Sequence, residues 1–207
     1  VTCENLTNAS LIALNSDAQS LDSCLAPEKF CLGAKLTHGL GVGGDPELGR
    51  AAAECDLETL REFCEGAKIV FIICGLGGGT GTGASSVVAR VAKESGALVL
   101  GIVTTPFEFE GGRRQRQSQL GLQQLKSVAD AVISLPNQNI FKLIDEKTTA
   151  VEAFKVANQF LAQGVSGISR LLTQTGLINI DFADLCSVTR QLHAESSFAT
   201  AQSEGEN

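Results

Sequence analysis

Residues 69–83 read Ile-Val-Phe-Ile-Ile-Cys-Gly-Leu-Gly-Gly-Gly-Thr-Gly-Thr-Gly, and this stretch decides the fold. An apolar run of strand length, residues 69–74, leads into a cluster of glycines, and residues 84–94 then follow a helical pattern. Glycine at a strand-to-helix junction leaves main-chain N–H groups bare beside a helix N-terminus, where they can surround a phosphate group. The stretch therefore predicts an α/β fold that binds a phosphate-bearing ligand.

Two widespread nucleotide-binding loops fit this stretch poorly. Residues 78–83 have the G-x-x-x-x-G frame of a P-loop, but Ala84 and Ser85 follow where that loop needs Lys and Ser/Thr. Residues 79–84 fit the G-x-G-x-x-A pattern of dinucleotide-binding folds, yet no acidic residue ends the next predicted strand, residues 97–103. A P-loop NTPase is therefore disfavoured, and a Rossmann oxidoreductase is kept only as a weaker alternative.

Composition bounds the class of protein. With 207 residues, 43% hydrophobic and 19% charged, the chain is long enough for one substantial core. Its net charge of −7 argues against a nucleic-acid-binding face, which would need clustered basic residues. Seven cysteines without a C-x-x-C pair, and no apolar run of membrane-spanning length, predict a cytoplasmic protein with reduced thiols. The sequence contains no Met, so we expect a fragment of a longer protein.

Strand-like and helix-like segments alternate along the chain. Strands are predicted at residues 11–14, 69–74, 97–103 and 131–135, and helices at 47–65, 84–94, 113–128 and 148–172. This alternation predicts a Rossmann-like parallel sheet with helices on both faces. The last helix is apolar on more than one face, which predicts a largely buried helix that divides two domains.

The unusual loops all follow predicted strands. They are residues 15–17, 75–83, 104–111 and 136–137. Because ligands of such sheets bind outside the carboxyl ends of the strands, these loops together predict one nucleotide pocket.

Residues 77–83, Gly-Gly-Gly-Thr-Gly-Thr-Gly, resemble the signature of the tubulin/FtsZ family of filament-forming GTPases. Four further stretches are similar to its bacterial FtsZ branch and occur in the right order, at residues 14–19, 39–47, 106–111 and 176–184. The resemblance covers roughly residues 11–190 and is far more specific than any one motif. It implies a GTP-binding domain at residues 1–172 that lacks its first strand and first phosphate loop, a catalytic loop and helix at 173–195, a truncated tail at 196–207, and a missing C-terminal domain.

The resemblance implies nucleotide-binding roles for a set of residues: Gly43, Gly44, Gly78, Gly79, Thr80, Gly81, Thr82, Glu110, Arg114, Asn137, Phe154 and Asn158. In such proteins the glycine loops hold the phosphates, the Glu holds the ribose, the Arg reaches the nucleotide, and the Phe and Asn recognise guanine. The residues alone leave alternatives open, because glycines also allow tight packing and a Phe also packs in a core. Asp45 stands where the family usually has Asn, and a carboxylate there would repel a phosphate unless a cation intervenes.

Asn179, Asp181 and Asp184 are the expected catalytic residues. The preceding helix, about 25 residues long, carries the chain roughly 37 Å away from the nucleotide edge, so these acids cannot reach their own chain's phosphates. They would enter the next subunit's pocket, and such a head-to-tail contact builds a filament. Asp181 could instead serve only as a helix N-cap.

The resemblance implies a GTPase of the bacterial division ring, active only when assembled at full length. GTP or GDP and Mg²⁺ are the expected cofactors, with no metal site made by the protein itself, since His38 and His193 lack suitable companions. The expected partners are further copies of the chain and, through C-terminal parts, membrane-tethering and division proteins at midcell. The alternative is an FtsZ-like scaffold that binds nucleotide with little hydrolysis, and the intact Asn179, Asp181, Asp184 set favours the enzyme.

Overall fold

The computed structural model describes residues 9–142, 144 and 148–173 and places their strands in two parallel sheets. The first sheet pairs β1 (Ile12–Asn15) with β2 (Glu28–Cys31), and the second has the order β3 (Ile69–Gly75), β4 (Leu98–Thr105), β5 (Ala131–Pro136). Phe71 lies opposite Leu100, and Leu100 lies opposite Ala131 in the register of the second sheet. The predicted α/β class is confirmed, whereas β2 was not predicted because its four residues carry no apolar run.

Helices follow most of the strands. They are α1 (Ala18–Asp22), α2 (Ala34–Thr37), α3 (Pro46–Glu54), α4 (Leu57–Cys64), α5 (Thr80–Glu94), α6 (Gly112–Val128) and α7 (Ala150–Thr173), with 3-10 turns at Glu108–Glu110 and Asn137–Lys142. The prediction of one helix over residues 47–65 is wrong, because the chain breaks between α3 and α4. The Asp56 carboxylate accepts a hydrogen bond from the Gly33 main-chain N–H at 2.6 Å, which holds the break in place.

Strand β4 forms the centre of the core. Its residues alternate between two apolar clusters, because successive side chains of a strand point to opposite faces. Val99 and Val103 pack with Val87 and Val91 of α5, while Leu98, Leu100 and Ile102 pack with Leu161 and Val165 of α7. The second sheet is therefore covered on both faces, as predicted.

Helix α7 buries a single stripe among its described side chains. Ala153, Ala157, Leu161 and Val165 are buried at a spacing of four, as expected for one helix face. Val151 and Phe160 are exposed, so the prediction of a helix buried on more than one face is wrong for this part of the chain. The helix packs on one face of the second sheet, which leaves its other side in solvent.

The two sheets do not join through hydrogen bonds between β1 and β3. A cavity of about 360 Å³ lies between them, lined by Ile12 and Leu14 of β1 and by Phe71 and Ile73 of β3, among others. Strand β3 is apolar and carries neither Pro nor a charged residue, the devices that usually protect a sheet edge. None of the helices in the described ranges is both long and apolar enough to cross a membrane.

Candidate functional site

The loops after β1 and β3 and the glycine loop before α3 meet at one edge of the fold. The Ser16 and Thr80 hydroxyl oxygens lie 2.6 Å apart, which joins the end of β1 to the start of α5. The Gly41 N–H donates to the Ser16 carbonyl oxygen at 3.1 Å, which adds the glycine loop to the same point. Three segments far apart in sequence therefore share one edge.

The loops after β4 and β5 complete that edge. The Leu76 N–H donates to the Thr104 carbonyl oxygen at 2.9 Å, which ties the signature loop to the end of β4. The Glu108 N–H donates to Gln138 Oε1 at 3.1 Å, which ties the following loop to the end of β5. The clustering of loops that the sequence predicted is therefore present in the structure.

The signature glycines fall into two kinds. A Cβ added to Gly79 would clash with Val42 Cγ2 and lie 2.9 Å from the Asp45 nitrogen, and one added to Gly81 would clash with the Gly75 carbonyl oxygen. Close packing, the alternative that the sequence left open, therefore accounts for these two residues as well. A Cβ on Gly78 would meet nothing within 4 Å, so the main chain there borders open space that a ligand could fill.

The two signature threonines point to different partners. Thr80 begins α5, where the first N–H groups of a helix lack intrahelical partners and carry partial positive charge. This is a suitable environment for a phosphate group. The Thr82 hydroxyl instead accepts the Gly77 N–H at 2.8 Å, and the residue is buried, so this hydroxyl stabilises the glycine-rich segment itself.

Gly43 and Gly44 form an exposed turn with φ of +57° and +77°, the left-handed region that favours glycine. Gln117 Nε2 donates to the Gly44 carbonyl oxygen at 3.2 Å, which fixes the turn against α6. The Asp45 carboxylate accepts the Glu47 N–H at 2.9 Å and thus caps α3. Asp and Asn cap helices about equally well, so this geometry accounts for the acid at this position.

Glu110 and Arg114 form an ion pair at the start of α6. Arg114 Nη1 lies 2.8 Å from Glu110 Oε2, and the Phe107 N–H donates to Glu110 Oε1 at 2.8 Å. The Glu110 side chain is only 11% exposed, whereas that of Arg114 is 58% exposed. Both carboxylate oxygens therefore have partners within the chain, and the guanidinium remains accessible to an anion. Arg113 and Arg116 are exposed, as expected for solvated charges.

Phe154 belongs to an aromatic cluster beside the 3-10 turn that contains Glu110. Its ring meets that of the buried Phe107 edge-on at 5.1 Å, and Phe109 and Phe141 complete the group. Phe154 nevertheless keeps 38% of its surface exposed, enough for one ring face to receive a planar ligand. Asn158, one turn further along α7, is exposed, and no hydrogen bond joins its side chain to the other described residues.

Asn137 carries an unsatisfied acceptor. The residue is 6% exposed, and within the described ranges its Oδ1 has no hydrogen-bond partner. It lines a cavity of about 170 Å³ between the ends of β4 and β5 and helix α7, together with Thr104 and Phe160. Buried polar atoms are normally paired, so a ligand N–H or a water molecule is the expected partner.

The expected catalytic residues Asn179, Asp181 and Asp184 lie outside the described residues. Within the described ranges no group of three His, Cys, Asp or Glu residues could hold a metal ion. The Asp17 carboxylate caps α1 by accepting from the Ser20 hydroxyl and from the Ser20 and Gln19 N–H groups, and these bonds lower the pKa of Asp17. Mg²⁺ commonly binds through substrate phosphates and water with one or two carboxylates. The residues present therefore fit this ion only if a nucleotide supplies most of its ligands.

Sequence reasoning placed Ser16 in the pocket loop of residues 15–17 but gave it no individual role, and it missed Gln117. Nothing in the sequence of α6 distinguishes Gln117 from its polar neighbours, because its partner Gly44 lies far away along the chain.

Residues 3–145 match the family described as the Tubulin/FtsZ family, GTPase domain. The chain is 43% identical over 203 residues to the cell division protein FtsZ of Rickettsia felis and equally to that of Rickettsia conorii, which covers 98% of this chain and 45% of each relative. The chain thus spans about half the length of these relatives.

Two solved structures are similar in fold to this chain. An empty FtsZ dimer from M. jannaschii superposes with a TM-score of 0.86 at 42% identity, covering 90% of this chain and 54% of that one. CetZ2 of Haloferax volcanii, solved as a GTPγS-bound protofilament, superposes with a TM-score of 0.75 at 26% identity, covering 86% of this chain and 53% of that one.

Proposed function

The chain belongs to the tubulin/FtsZ family, and we propose that it binds GTP at the loop edge, the edge of the fold where the loops after β1, β3, β4 and β5 meet, and that it hydrolyses GTP between subunits stacked head to tail. The likeness to an FtsZ dimer and to a CetZ2 protofilament supports self-association.

In the proposed complex the phosphates lie beside Gly78 and the first turn of α5. Gly79, Gly81 and Thr82 offer main-chain N–H groups there, and the turn at Gly43 and Gly44 covers the terminal phosphate. Arg114 is the accessible cation of the edge, and its pairing with Glu110 orients the guanidinium. Glu110 faces the ribose through the remaining acceptor capacity of its carboxylate oxygens.

The base is proposed to lie against the exposed face of Phe154. Asn158, on the same face of α7, would hydrogen-bond the guanine edge, because an amide donates and accepts at once. The unsatisfied Oδ1 of Asn137 is a further acceptor for a ligand N–H. The choice of guanine over adenine follows from the family and not from these contacts.

The direction of α7 is the observation that carries the shared-site mechanism. Near its start, Ala153 and Ala157 pack with Phe107 and Ile140 at the loop edge. Further along, Leu161 and Val165 pack in one cluster with Leu98, at the opposite end of β4. At about 1.5 Å per residue, the 24 residues of α7 span roughly 36 Å away from the loop edge.

Asn179, Asp181 and Asp184 follow α7 in sequence, so we propose that they serve the pocket of the next subunit. There Asp181 and Asp184 would polarise either the water that attacks the terminal phosphorus or a bound cation, and Asn179 would position it. The bond from that phosphorus to the bridging oxygen then breaks, and GDP and phosphate leave. Mg²⁺ bound to the phosphates would neutralise charge that a P-loop lysine neutralises elsewhere.

We further propose that the filament works in the bacterial division ring at midcell, with tethering and division proteins as partners. The name of the Rickettsia relatives, cell division protein FtsZ, supports this role.

A mixing experiment tests the shared site. The chain is extended with the unmatched part of the Rickettsia felis relative, and Asp184→Ala and Gly78→Ala are made in separate copies. We expect Asp184→Ala to bind GTP and assemble but to hydrolyse much more slowly, and Gly78→Ala to fail in binding. Mixing the two should restore phosphate release, because an intact pocket then meets intact acids. Glu195→Gln is the matched control for charge removal near the acids.

Loss of GTP affinity in Asp184→Ala would place this acid in its own chain's pocket and refute the shared site. Tight GTP binding with negligible phosphate release by the unsubstituted extended chain would instead favour the nucleotide-binding scaffold.

A further inference from the structure

Ser16 is fully buried directly after β1, although its hydroxyl needs a hydrogen-bond partner once it leaves water. Its Oγ lies 2.6 Å from Thr80 Oγ1, and no other partner for this hydroxyl occurs within residues 9–142, 144 and 148–173. The Ser16 carbonyl oxygen accepts from the Gly41 N–H at 3.1 Å and from the Thr37 hydroxyl at 3.4 Å. One residue therefore contacts both glycine-rich loops of the edge.

The direction of the Ser16–Thr80 hydrogen bond follows from burial. Each hydroxyl carries one proton and can donate only once. If Thr80 donated to Ser16, the Ser16 proton would be buried without an acceptor, which is costly. Thr80 is only partly buried, so its own proton can reach solvent or a ligand. Ser16 is therefore the donor and Thr80 the acceptor.

This direction prepares Thr80 for a phosphate. Phosphate oxygens only accept hydrogen bonds, so a hydroxyl that contacts one must donate its proton outward. With Ser16 donating to it, Thr80 Oγ1 is fixed in place with its proton free, and donation along such a chain strengthens each bond.

We propose that Ser16 is a positioning residue: it holds the Thr80 hydroxyl as an outward donor to a ligand phosphate and anchors the Gly41 loop at the same point. The inference rests on the proposed function, because it takes the phosphate of GTP as the acceptor. If Ser16 merely stabilised the fold, Ser16→Ala would weaken GTP binding by the same factor with and without the Thr80 hydroxyl.

A double-mutant cycle separates these roles. GTP affinity of the 207-residue chain is measured by equilibrium dialysis for Ser16→Ala, Thr80→Val and the double variant, with Ser16→Thr and Thr80→Ser as hydroxyl-retaining controls. We expect Ser16→Ala to weaken binding about tenfold, the size of one lost hydrogen bond to a charged group. In the Thr80→Val background the same change should cost less than about twofold, because the partner is already gone.

Equal weakening in both backgrounds, or none in either, would overturn the proposal, and failure of the Ser16→Thr control to retain affinity would count against it. Failure of the unsubstituted chain to bind GTP even when it is extended with the unmatched part of the Rickettsia felis relative would refute the proposed function instead. In that event the ligand-free chain still tests Ser16 by NMR of its hydroxyl protons. A slowly exchanging Ser16 proton with cross-relaxation to the Thr80 methyl group supports the assignment. Protection of the Thr80 proton alone, or rapid exchange of both, contradicts it.

Discussion

Gly83→Ala should destabilise the fold, although alanine favours helices more than glycine does. Gly83 lies in the first turns of α5, where α3 crosses it without an intervening side chain. A Cβ at this position would clash with the Pro46 carbonyl oxygen and lie 2.6 Å from the Arg50 nitrogen. Both are main-chain atoms of α3, so the clash cannot be relieved by a side-chain rotation, and the helices must separate by roughly 1 Å.

The expected loss of unfolding free energy in Gly83→Ala follows from two opposing effects. Overpacking a well-packed core costs about 1–3 kcal/mol, and contact with main-chain atoms favours the upper end. Replacing Gly by Ala in a helix returns up to about 1 kcal/mol. The net loss is therefore about 2 kcal/mol, which lowers the urea midpoint by about 1 M for a typical slope of 2 kcal/mol/M. Unfolding is followed by far-ultraviolet circular dichroism, since the chain has no Trp or Tyr.

Gly78→Ala is the matched control from the same signature. A Cβ there meets nothing within 4 Å, and its φ lies outside the left-handed region, so we expect a change in unfolding free energy within about 0.5 kcal/mol. The same methyl group would occupy the space proposed for a phosphate, so GTP affinity should fall. If Gly83→Ala unfolds at the wild-type midpoint, or if both variants are equally destabilised, the division into packing and ligand-facing glycines is wrong.

Three further outcomes are expected. Asp130→Ala should cost about 1–3 kcal/mol in urea unfolding, because the buried Val99 N–H loses its 2.9 Å acceptor; a cost near zero would contradict this. Burial raises the pKa of the Cys74 thiol to about 12, so at pH 8 only about one thiol in ten thousand is ionised, and mass spectrometry should find maleimide on the exposed Cys55 long before Cys74. The 207-residue chain should bind GTP weakly, with a dissociation constant above about 10 μM, because an open cavity borders Thr80 on one side and reduces preorganisation; tight binding in equilibrium dialysis would disprove this.

The local sequence pattern was sufficient to predict a strand where the segment is both apolar and bounded by glycine or proline. The strands predicted at residues 69–74, 97–103 and 131–135 match β3, β4 and β5 within two residues at each end. Their apolar runs reflect burial on both faces of a parallel sheet, so composition and position carry the same information. Helix α6 was predicted within one residue at its start, whereas α5 begins at Thr80, four residues before the predicted start at residue 84, because Gly81 and Gly83 belong to the helix.

Non-local hydrogen bonds account for what the sequence could not predict. The break between α3 and α4 depends on the bond from the Gly33 N–H to Asp56, which joins residues 23 positions apart. The placement of Ser16 depends on Thr80, which is 64 positions away. No periodicity within either segment encodes these partners, so a helix was predicted too long and the contact between Ser16 and Thr80 was not predicted.

Close packing of main chain also explains why the glycine cluster admits two interpretations from sequence, tight packing and ligand binding. At Gly81 and Gly83 neighbouring main chain occupies the place of a Cβ, at Gly79 the Val42 side chain and the Asp45 main chain do, and Gly78 borders open space. Close packing of α3 on α5 brings the loop at Gly43 and Gly44 to the start of α5, and this places two glycine loops around one point. If GTP binds at this point as proposed, the packing glycines would affect it indirectly, through the distance between α3 and α5. A variant that separates these helices should therefore lose GTP affinity in proportion to the shift of the Gly44 loop, even though its own side chain never meets the nucleotide.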